Sequence, residues 1–541
     1  MSGYRNENAK GIKNLINNAE KGGLEAQFQL YEYFNLGKYV DKDEELADKY
    51  FNMYIESLVD KKICLESLSI WMFRRFHSLE ITFDKKMTVI IGDNGAGKTS
   101  FAEAISKTFS WFNNNVEKED VNGRLIVEDD INNSSDNYSE VTGFFSLGKD
   151  DKFEISLARP VSGFSGSKSN DVSVIKKIGS MYRKAAVDKR ITIPLLAFYS
   201  VERSYLSLKK NAHEKAADDT KRNRFYALKD ALDGSGKLDH FSELYIELVN
   251  LASGEETKEI KELKGQISVL EQSICGVYED KTPPGDDPFV AKLKDKKEQL
   301  SRFLNSSSSN KYRRHLSFVN EAIESLVPSV KNIRVDRSIG RPRILVDNLG
   351  VSVNITQLSQ GQKLLVALTG DLARRLVILN PEADKPLNTH GIVVIDEVEL
   401  HLHPKWQQEI LIGLQDTFPN IQFIVTTHSP QVLSTIDNKC IRQITTDENG
   451  HPIIVTPEFQ TKGVTSADIL GNIMGTNSVP EKLPEAVLVN DFYKALSSNE
   501  REVAEDYLYK IVSHFGEQHP VVLNCRSHIR IKEARERFYK N

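Results

Sequence analysis

Apolar positions recur along this chain with three different spacings, and each spacing predicts a different kind of element. Between residues 8 and 58, small and apolar residues recur at the spacing of a helical hairpin. Alternation of apolar and polar residues over 63–92 is typical of half-buried strands. The runs at 391–395 and 421–425 are apolar almost throughout, as in strands buried on both faces of a parallel sheet. The sequence therefore predicts an α/β protein with a helical N-terminal segment.

Residues 256–306 carry the pattern of a short coiled coil. Leucine and isoleucine recur in steps of three and four on a first arm and, after a Thr-Pro-Pro-Gly turn at 282–285, return on a second arm. The positions are Ile260, Leu263, Ile267, Leu270, Ile274, Leu293, Leu300 and Leu304. Each arm is about 20–30 Å long at about 1.5 Å per residue. We expect a short antiparallel helical hairpin, followed by a mainly helical tail over 456–541.

Composition narrows the function classes without choosing one. A length of 541 residues predicts roughly two to four domains, and a net charge of −5 means that any DNA contact needs a local basic patch. The four cysteines are too far apart in the sequence to indicate a metal site or a disulfide framework. No run reaches about 18 apolar residues, and the N-terminus lacks a signal-like apolar region. We expect a cytoplasmic protein that does not enter a membrane.

The stretch from residue 92 to residue 99 matches the P-loop pattern G-x-x-x-x-G-K-[ST] after an apolar strand and before a helix. Its glycines let backbone N–H groups turn toward a phosphate chain, and the helix start adds partial positive charge. The candidate ATP-binding residues are Asn94, Gly95, Ala96, Gly97, Lys98, Thr99 and Ser100. Lys98 is placed to reach the β- and γ-phosphates, and the Thr99 hydroxyl is placed to bind Mg²⁺.

Three further stretches carry candidate chemistry. The apolar run 391–395 ends in Asp396 and Glu397, the Walker B pattern of a buried strand with two carboxylates at its carboxyl end. The run 421–425 is followed by Thr-Thr and then His428. The segment 358–362 reads Leu-Ser-Gln-Gly-Gln and begins a helical pattern, so its N–H groups and Ser359 are placed to meet a phosphate.

Other polar stretches are less specific. Arg74 and Arg75 interrupt the alternating pattern before the P-loop. Basic residues scattered over 176–224 could follow a nucleic-acid backbone or form a solvated face. Residues 112–138 are rich in Asn, Asp and Ser, so we expect a surface loop or disordered insert there.

Taken in this order, the motifs make residues 63–445 similar to an ATP-binding-cassette ATPase, with a head of the structural-maintenance and recombination-repair class. The resemblance implies that Asp396 holds Mg²⁺, that Glu397 polarises the attacking water, and that His428 contacts the γ-phosphate. It also implies that Arg74 and Arg75 lie near the base and α-phosphate. Ser359, Gly361 and Gln362 form the signature motif, which binds the ATP of an opposite subunit. No glutamine occurs between the P-loop and Gln266, so the usual Q-loop glutamine is absent, and we expect a residue near Ser200, Glu202 or Arg203 in its place.

The whole arrangement, including Val201-Glu202-Arg203-Ser204 and the motif 399–408, resembles the Septu antiphage ATPases (PtuA), among them the forms encoded with retrons. That resemblance implies an ATP-bridged dimer or larger assembly and a partner HNH nuclease. In retron systems it implies a reverse transcriptase with its multicopy single-stranded DNA (msDNA). Two alternatives stay open: a DNA-repair or chromosome-maintenance ATPase that binds DNA ends without a dedicated nuclease, and a scaffold that holds ATP structurally.

We therefore expect a two-lobed P-loop ATPase head that is interrupted by the hairpin and carries helical segments at both ends. The predicted segments are 1–60 (a Sel1-like helical unit, either a cap or a docking module), 61–255 (first part of the head), 256–306 (hairpin), 307–455 (second part of the head) and 456–541 (helical docking region).

Overall fold

The computed structural model describes residues 9–149, 151–204, 223–234, 238–253, 308–338, 340–476 and 482–540, together with short pieces between 265 and 299 and residue 480. The chain divides into two units, Met1–Lys462 and Gly463–Asn541. No helix in the described part of the chain is both long enough and apolar enough to cross a membrane.

The elements of the first unit, in chain order, are α1 (Ala9–Glu20), α2 (Leu24–Leu36), α3 (Glu44–Leu58), β1 (Ile63–Phe73), β2 (Phe76–Thr82), β3 (Met87–Gly92), α4 (Lys98–Glu117), β4 (Tyr138–Leu147), β5 (Asp151–Pro160), α5 (Ser173–Ala185), β6 (Leu195–Tyr199), α6 (Leu238–Ser253), α7 (Ser308–Leu326), β7 (Val330–Asp336), β8 (Arg343–Asn348), β9 (Val351–Asn354), α8 (Gln360–Leu379), β10 (Gly391–Ile395), α9 (Pro404–Thr417), β11 (Ile421–Thr426), α10 (Pro430–Leu433), β12 (Ile441–Thr446) and β13 (Pro452–Val455).

A six-stranded sheet in the order β13-β12-β3-β11-β10-β6 forms the centre of the head. All of its neighbouring pairs are parallel except β12 with β13. The apolar runs of the sequence are β10 and β11, and every residue of both strands is buried. Because β11 lies between β3 and β10, the carboxyl ends of these three strands meet at one edge of the sheet. The predicted α/β ATPase fold is confirmed.

Two antiparallel sheets complete the head, in the orders β2-β1-β4-β5 and β7-β8-β9. Gln422 is the single amide side chain in the mostly apolar strand β11. Its side chain accepts a hydrogen bond from the backbone N–H of Leu65 at 2.9 Å and donates to the carbonyl of Leu65 at 2.8 Å. A buried amide that is paired in this way costs little, and it fixes the central sheet against β1 of the antiparallel sheet.

Of the surface loop or disordered insert expected over 112–138, residues 118–127 form a largely exposed segment without helix or strand, as the surface-loop alternative predicts, whereas the expectation is wrong for residues 112–117, which belong to a helix. The helix α4 continues to Glu117, and Asn113 is buried with its amide donating to the carbonyl of Leu196 at 3.0 Å. Beyond the helix, Asp130 is 1% exposed and pairs with Lys107 at 2.8 Å. Polar residues of this segment thus pair with the backbone and with a charged side chain of α4, while the side-chain oxygens of Asn113 and Asn115 are buried without a partner among the described residues. Composition alone does not reveal these contacts.

The N-terminal helices α1–α3 share a core that includes Leu30, Phe34 and Tyr50. They also contact the head, because Glu25 and Glu32 of α2 pair with Lys177 and Lys184 of α5, each at 2.5 Å. These contacts favour a cap on the ATPase head over a free docking module.

Most of the predicted hairpin at 256–306 lies outside the described residues. Residues 265–271 and 292–297 are helical, and Glu271 pairs with Lys297 at 2.7 Å. This ion pair joins the two predicted arms, while the turn at 282–285 is not among the described residues.

The second unit is helical. Its elements are α11 (Ser466–Asn472), α12 (Pro484–Ser497), α13 (Arg501–Phe515) and α14 (Pro520–Lys540). The helices α12–α14 enclose a small core of their own, formed around Phe492, Ala504, Ile511 and Val522.

Candidate functional site

The P-loop connects β3 to α4, as the sequence predicts. Gly95 and Gly97 have φ angles of 77° and 98°, a left-handed backbone that favours glycine. A Cβ atom at Gly97 would also collide with the ring of Phe76 and with Arg75. The loop is closed by a hydrogen bond of 3.0 Å from the N–H of Ala96 to the carbonyl of Asp93. Asn94 lies within this turn and Ser100 lies in the first turn of α4, so the whole motif forms one compact loop at a helix N-terminus.

Lys98 is 6% exposed and begins α4. Its ammonium group donates to the carbonyls of Gly92 at 2.9 Å and Asp93 at 3.1 Å. Burial lowers the pKa of Lys98, while the carboxylates of Asp396 and Glu397 act in the opposite direction. The lysine therefore lies between the loop and the Walker B carboxylates.

Asp396, which follows β10, is hydrogen-bonded both to the start of α4 and to the end of β11. Its two carboxylate oxygens accept hydrogen bonds from the hydroxyls of Thr99 at 2.7 Å and Thr426 at 2.5 Å. The hydroxyl of Thr426 also accepts the N–H of Glu397 at 2.8 Å. Glu397 has a φ of 48°, a strained conformation for a residue with a side chain. The structure thus brings Thr99, Asp396 and Glu397 together around a threonine to which sequence reasoning assigned no role.

Arg203 is 5% exposed and contacts the backbone of the Walker B turn, which is formed by Asp396 and Glu397. Its guanidinium group donates to the backbone carbonyl of Asp396 and, at 2.6 Å, to that of Glu397. Burial lowers its pKa to about 10, against the attraction of Asp396 and of Glu399. Of Ser200, Glu202 and Arg203, which lie near the expected place of the missing glutamine, Arg203 is the one that bonds to the Walker B turn.

His428 lies just beyond the end of β11. Its backbone N–H donates to a carboxylate oxygen of Glu399 at 2.6 Å, and the other oxygen of Glu399 is buried without a partner. Among the described residues, the imidazole ring of His428 makes no hydrogen bond, so it is available to a ligand at this edge. In the sequence, Glu399 is only the first residue of the motif 399–408. Its hydrogen bond to the backbone of His428 is seen only in the fold.

Arg74 and Arg75, which sequence reasoning treated as a pair, have different surroundings. Arg74 pairs with Glu103 and, at 2.9 Å, with Asp130, so its charge is already compensated. Arg75 is exposed, its side chain lies against the P-loop glycines, and it has no hydrogen-bond partner among the described residues. Only Arg75 is free to reach a nucleotide.

The signature segment forms the start of α8. Ser359 is its N-cap residue, and its hydroxyl and N–H both bond to the side-chain oxygen of Gln362 at 3.0 Å. The amide nitrogen of Gln362 donates to Ser329 at 3.0 Å and Asn348 at 2.8 Å. Both polar atoms of the Gln362 side chain are therefore hydrogen-bonded within the chain, the oxygen as part of a capping box. A Cβ at Gly361 would strike the carbonyl of His401, so the helix starts directly against the loop that follows Walker B.

The basic residues between 176 and 224 are largely occupied within the chain. Lys177 and Lys184 pair with α2, as described above, and Arg183 pairs with Glu119 at 3.2 Å. Arg224 donates to the carbonyls of Leu379 and Ala186. Such internal pairing does not favour a DNA-binding face here. Lys209, Lys210, Lys221 and Arg222 lie outside the described residues.

Comparison with known proteins agrees with this geometry. The chain matches the AAA ATPase domain family over residues 64–433. It is 31% identical over 489 residues to the retron Vc95 probable ATPase of Vibrio cholerae serotype O1 biovar El Tor, which covers 88% of this chain and 92% of that protein. It is 28% identical to the retron Ec83 probable ATPase of Escherichia coli over 98% of both chains. A shorter match, 29% identical over 35% of this chain and 26% of the relative, is to the Septu protein PtuA of Bacillus mycoides (strain KBAB4).

Proposed function

The chain belongs to the AAA ATPase domain family and is a retron- and Septu-type ATPase, and from this premise we propose that it is an antiphage-defence ATPase that controls a separate nuclease according to its nucleotide state. ATP is the substrate in this proposal. The observation that carries the proposal is the convergence of Thr99, Asp396, Glu397 and Thr426 at the edge of the sheet where the P-loop lies.

The residues at this edge fit a magnesium ion. The Thr99 hydroxyl and the Asp396 carboxylate supply the oxygen ligands that Mg²⁺ prefers. Asp93, Asp396, Glu397 and Glu399 place four negative charges near the two positive charges of Lys98 and Arg203, and a cation would balance that excess. Thr99 and Asp396 are the residues that would hold the ion, which when bound neutralises phosphate charge and orients the triphosphate.

Each side chain has one task in this scheme. The P-loop N–H groups and Lys98 bind the phosphates, and Arg75 lies at the side of the loop where it can contact the α-phosphate or base. Glu397 accepts a proton from the attacking water, and the ring of His428 contacts the γ-phosphate. Arg203 and Thr426 are positioning residues, because they hold the backbone of Glu397 without meeting the substrate.

Hydrolysis requires two copies of the chain in this proposal. The N-terminus of α8 offers the N–H groups of its first turn and the hydroxyl of Ser359, while the side chain of Gln362 is occupied in the cap. Ser359 and Gly361 of one copy would then close on the γ-phosphate that Lys98 of the other copy holds. Because the same helix packs on the loop after Walker B, closure of the pair positions both halves of the site.

The proposed partner is an HNH nuclease, with a reverse transcriptase and msDNA where the system is a retron. The support is the similarity to retron probable ATPases over nearly the whole chain. The helical unit Gly463–Asn541, which has its own core, is the proposed docking region for such a partner.

Glu397→Gln tests the proposal. The amide keeps the size of the side chain but cannot accept the proton, so phosphate release should fall by about 10²-fold or more while ATP still binds. ATP-dependent pairs should accumulate, as measured by light scattering, and the output of the co-expressed nuclease should change. Lys98→Ala is the control that loses ATP binding and forms no pairs.

Two results would contradict the proposal. The first is an unchanged fraction of pairs and unchanged nuclease output with excess ATP in Glu397→Gln. The second is strong stimulation of hydrolysis by duplex DNA without any partner, which would favour the DNA-repair alternative.

A further inference from the structure

A cavity of about 390 Å³ lies in the first unit between α6, α7 and the C-terminal half of α8. Its apolar wall includes Leu244, Leu248 and Ile378, and the rings of Tyr226 and Tyr312 also line it. None of its lining residues belongs to the P-loop, Walker B or signature segments. The volume lies within the range of about 300–1,000 Å³ that is typical of small-molecule sites.

Arg374 lines this cavity and is 3% exposed. One of its nitrogens donates to Asp371 at 3.0 Å, but Nε and one terminal nitrogen are buried without a hydrogen-bond partner. Arg375 bonds to the same carboxylate at 2.7 Å and completes its hydrogen bonds on the carbonyls of Ala227 and Lys229. The two buried guanidinium groups thus share the carboxylate of Asp371; the charges of Asp230 and Asp233 act on Arg375, whereas Asp371 is the carboxylate bonded to Arg374.

His315 and Arg224 add to this polar side of the cavity. His315 is 4% exposed, and its ring lies against the carbonyl of Pro381 without a hydrogen bond of normal geometry. The guanidinium of Arg224 bonds to backbone carbonyls and to an asparagine oxygen, so no carboxylate bonds to it. Lys311 at the rim pairs with Glu382 at 2.9 Å, and Glu247 is the one carboxylate among the lining residues.

Unpaired buried donors are costly and are normally satisfied by a partner. Two residues that line the cavity, Arg374 and His315, carry such donors; the lining also holds three cationic side chains against one carboxylate, and its apolar wall includes two aromatic rings. We propose that this cavity is a binding site for a small anion joined to a flat apolar group, the chemistry of a nucleoside monophosphate. The phosphate meets the side of Arg374 and His315, and the base lies among the leucines and tyrosines.

The position of the site indicates what its ligand does. Arg374 lies on α8, fourteen residues after Gln360, so the cavity is about 21 Å along one rigid helix from the signature end. A ligand that fixes the C-terminal half of α8 therefore acts on the end that meets the nucleotide of the other copy. This regulatory role rests on the proposed function, whereas binding itself does not.

Binding is measured by isothermal titration calorimetry with AMP, GMP, CMP, UMP and inorganic phosphate. The protein is the full chain carrying Lys98→Ala, so that the P-loop does not contribute. We expect saturable binding of at least one mononucleotide, weakened at least tenfold by Arg374→Met. That variant leaves Asp371 paired with Arg375, and a circular dichroism melt checks that it folds. Arg314→Met, on the same helix as His315 but outside the cavity lining, is the matched control and should bind as the Lys98→Ala protein does.

His315→Gln is the second variant, which keeps the proposal testable if Arg374→Met does not fold, and it should also weaken binding. The proposal is overturned if no mononucleotide binds at millimolar concentration, if inorganic phosphate binds as tightly as the mononucleotides, or if the cavity variants bind as the control does. None of these readouts depends on ATP turnover, so failure here is distinct from failure of the proposed function.

Discussion

Thr426→Val isolates the hydroxyl that connects the two Walker B carboxylate residues. Valine has nearly the same shape as threonine, and Thr426 is fully buried, so the packing of β11 is kept. The substitution removes the donor to Asp396 and the acceptor for the N–H of Glu397, which are at 2.5 Å and 2.8 Å. The threonine is therefore expected to matter for both stability and catalysis.

The expected magnitudes follow from these two hydrogen bonds. An unpaired buried N–H costs about 1–3 kcal/mol, and the lost bond to a carboxylate costs about 1.5–3 kcal/mol. The additional buried methyl group returns about 0.8 kcal/mol. We expect the free energy of unfolding to fall by about 2–5 kcal/mol. A displacement of Glu397 by about 1 Å is enough to lower kcat about 10²-fold, while the intact P-loop keeps KM for ATP nearly unchanged.

Phosphate release at varied ATP concentration and urea denaturation measure the two effects. Thr88→Val is the matched control, since Thr88 is also fully buried, lies on the neighbouring strand β3, and accepts the N–H of Asp84 at 2.8 Å. It should lose about 1–3 kcal/mol of stability and keep its kcat. The reasoning is refuted if Thr426→Val turns over within twofold of the wild type, or if Thr88→Val is equally impaired.

Three further predictions follow from the same contacts. Arg203→Met should lower kcat about 10- to 100-fold, because the carbonyls of Asp396 and Glu397 lose their donor; its melting temperature should also fall, since each buried group left without its partner costs about 1–3 kcal/mol, and an unchanged melting temperature would contradict that account. Arg75→Ala should weaken ATP binding in a fluorescence titration without loss of stability, whereas Arg74→Ala should lower stability because it removes a partner of buried Asp130; equal effects would contradict the split between the two arginines. Burial lowers the pKa of His315 and of His390 to about 4. Between pH 6.5 and pH 4, each of these histidines is therefore protonated in the unfolded chain but neutral in the folded chain. The free energy of unfolding, measured by urea denaturation, should therefore be highest above pH 6.5 and fall toward pH 4, by about 2 kcal/mol for each histidine at pH 5. His390→Asn should remove half of this loss.

Much of the site was predictable because its chemistry is local in sequence. The glycines at 95 and 97 can be read from the sequence because a left-handed turn needs them wherever the loop lies. The carboxylates at 396 and 397 follow an apolar run, and parallel strands present their carboxyl ends at one edge of a sheet. The fold class follows from the same runs.

Other assignments required the tertiary structure. Arg74 and Arg75 are adjacent and chemically identical, and the positions of Glu103 and Asp130, which both pair with Arg74, separate a partly buried ion pair from a free cation. Gln362 reads as a signature residue, yet its amide is used by Ser329 and Asn348, which lie 33 and 14 residues away.

The sequence by itself determined the glycine-rich loop, the two carboxylates that follow β10 and the parallel sheet, because turn conformation and burial depend on neighbouring residues. The tertiary structure decided which polar groups are free to act. Thr426, Arg203 and Arg374 owe their roles to partners that are distant in sequence or, for Arg374, to donors left unpaired in a cavity. Hydrogen bonds and charges are satisfied in space, so no local pattern records which of them remain available.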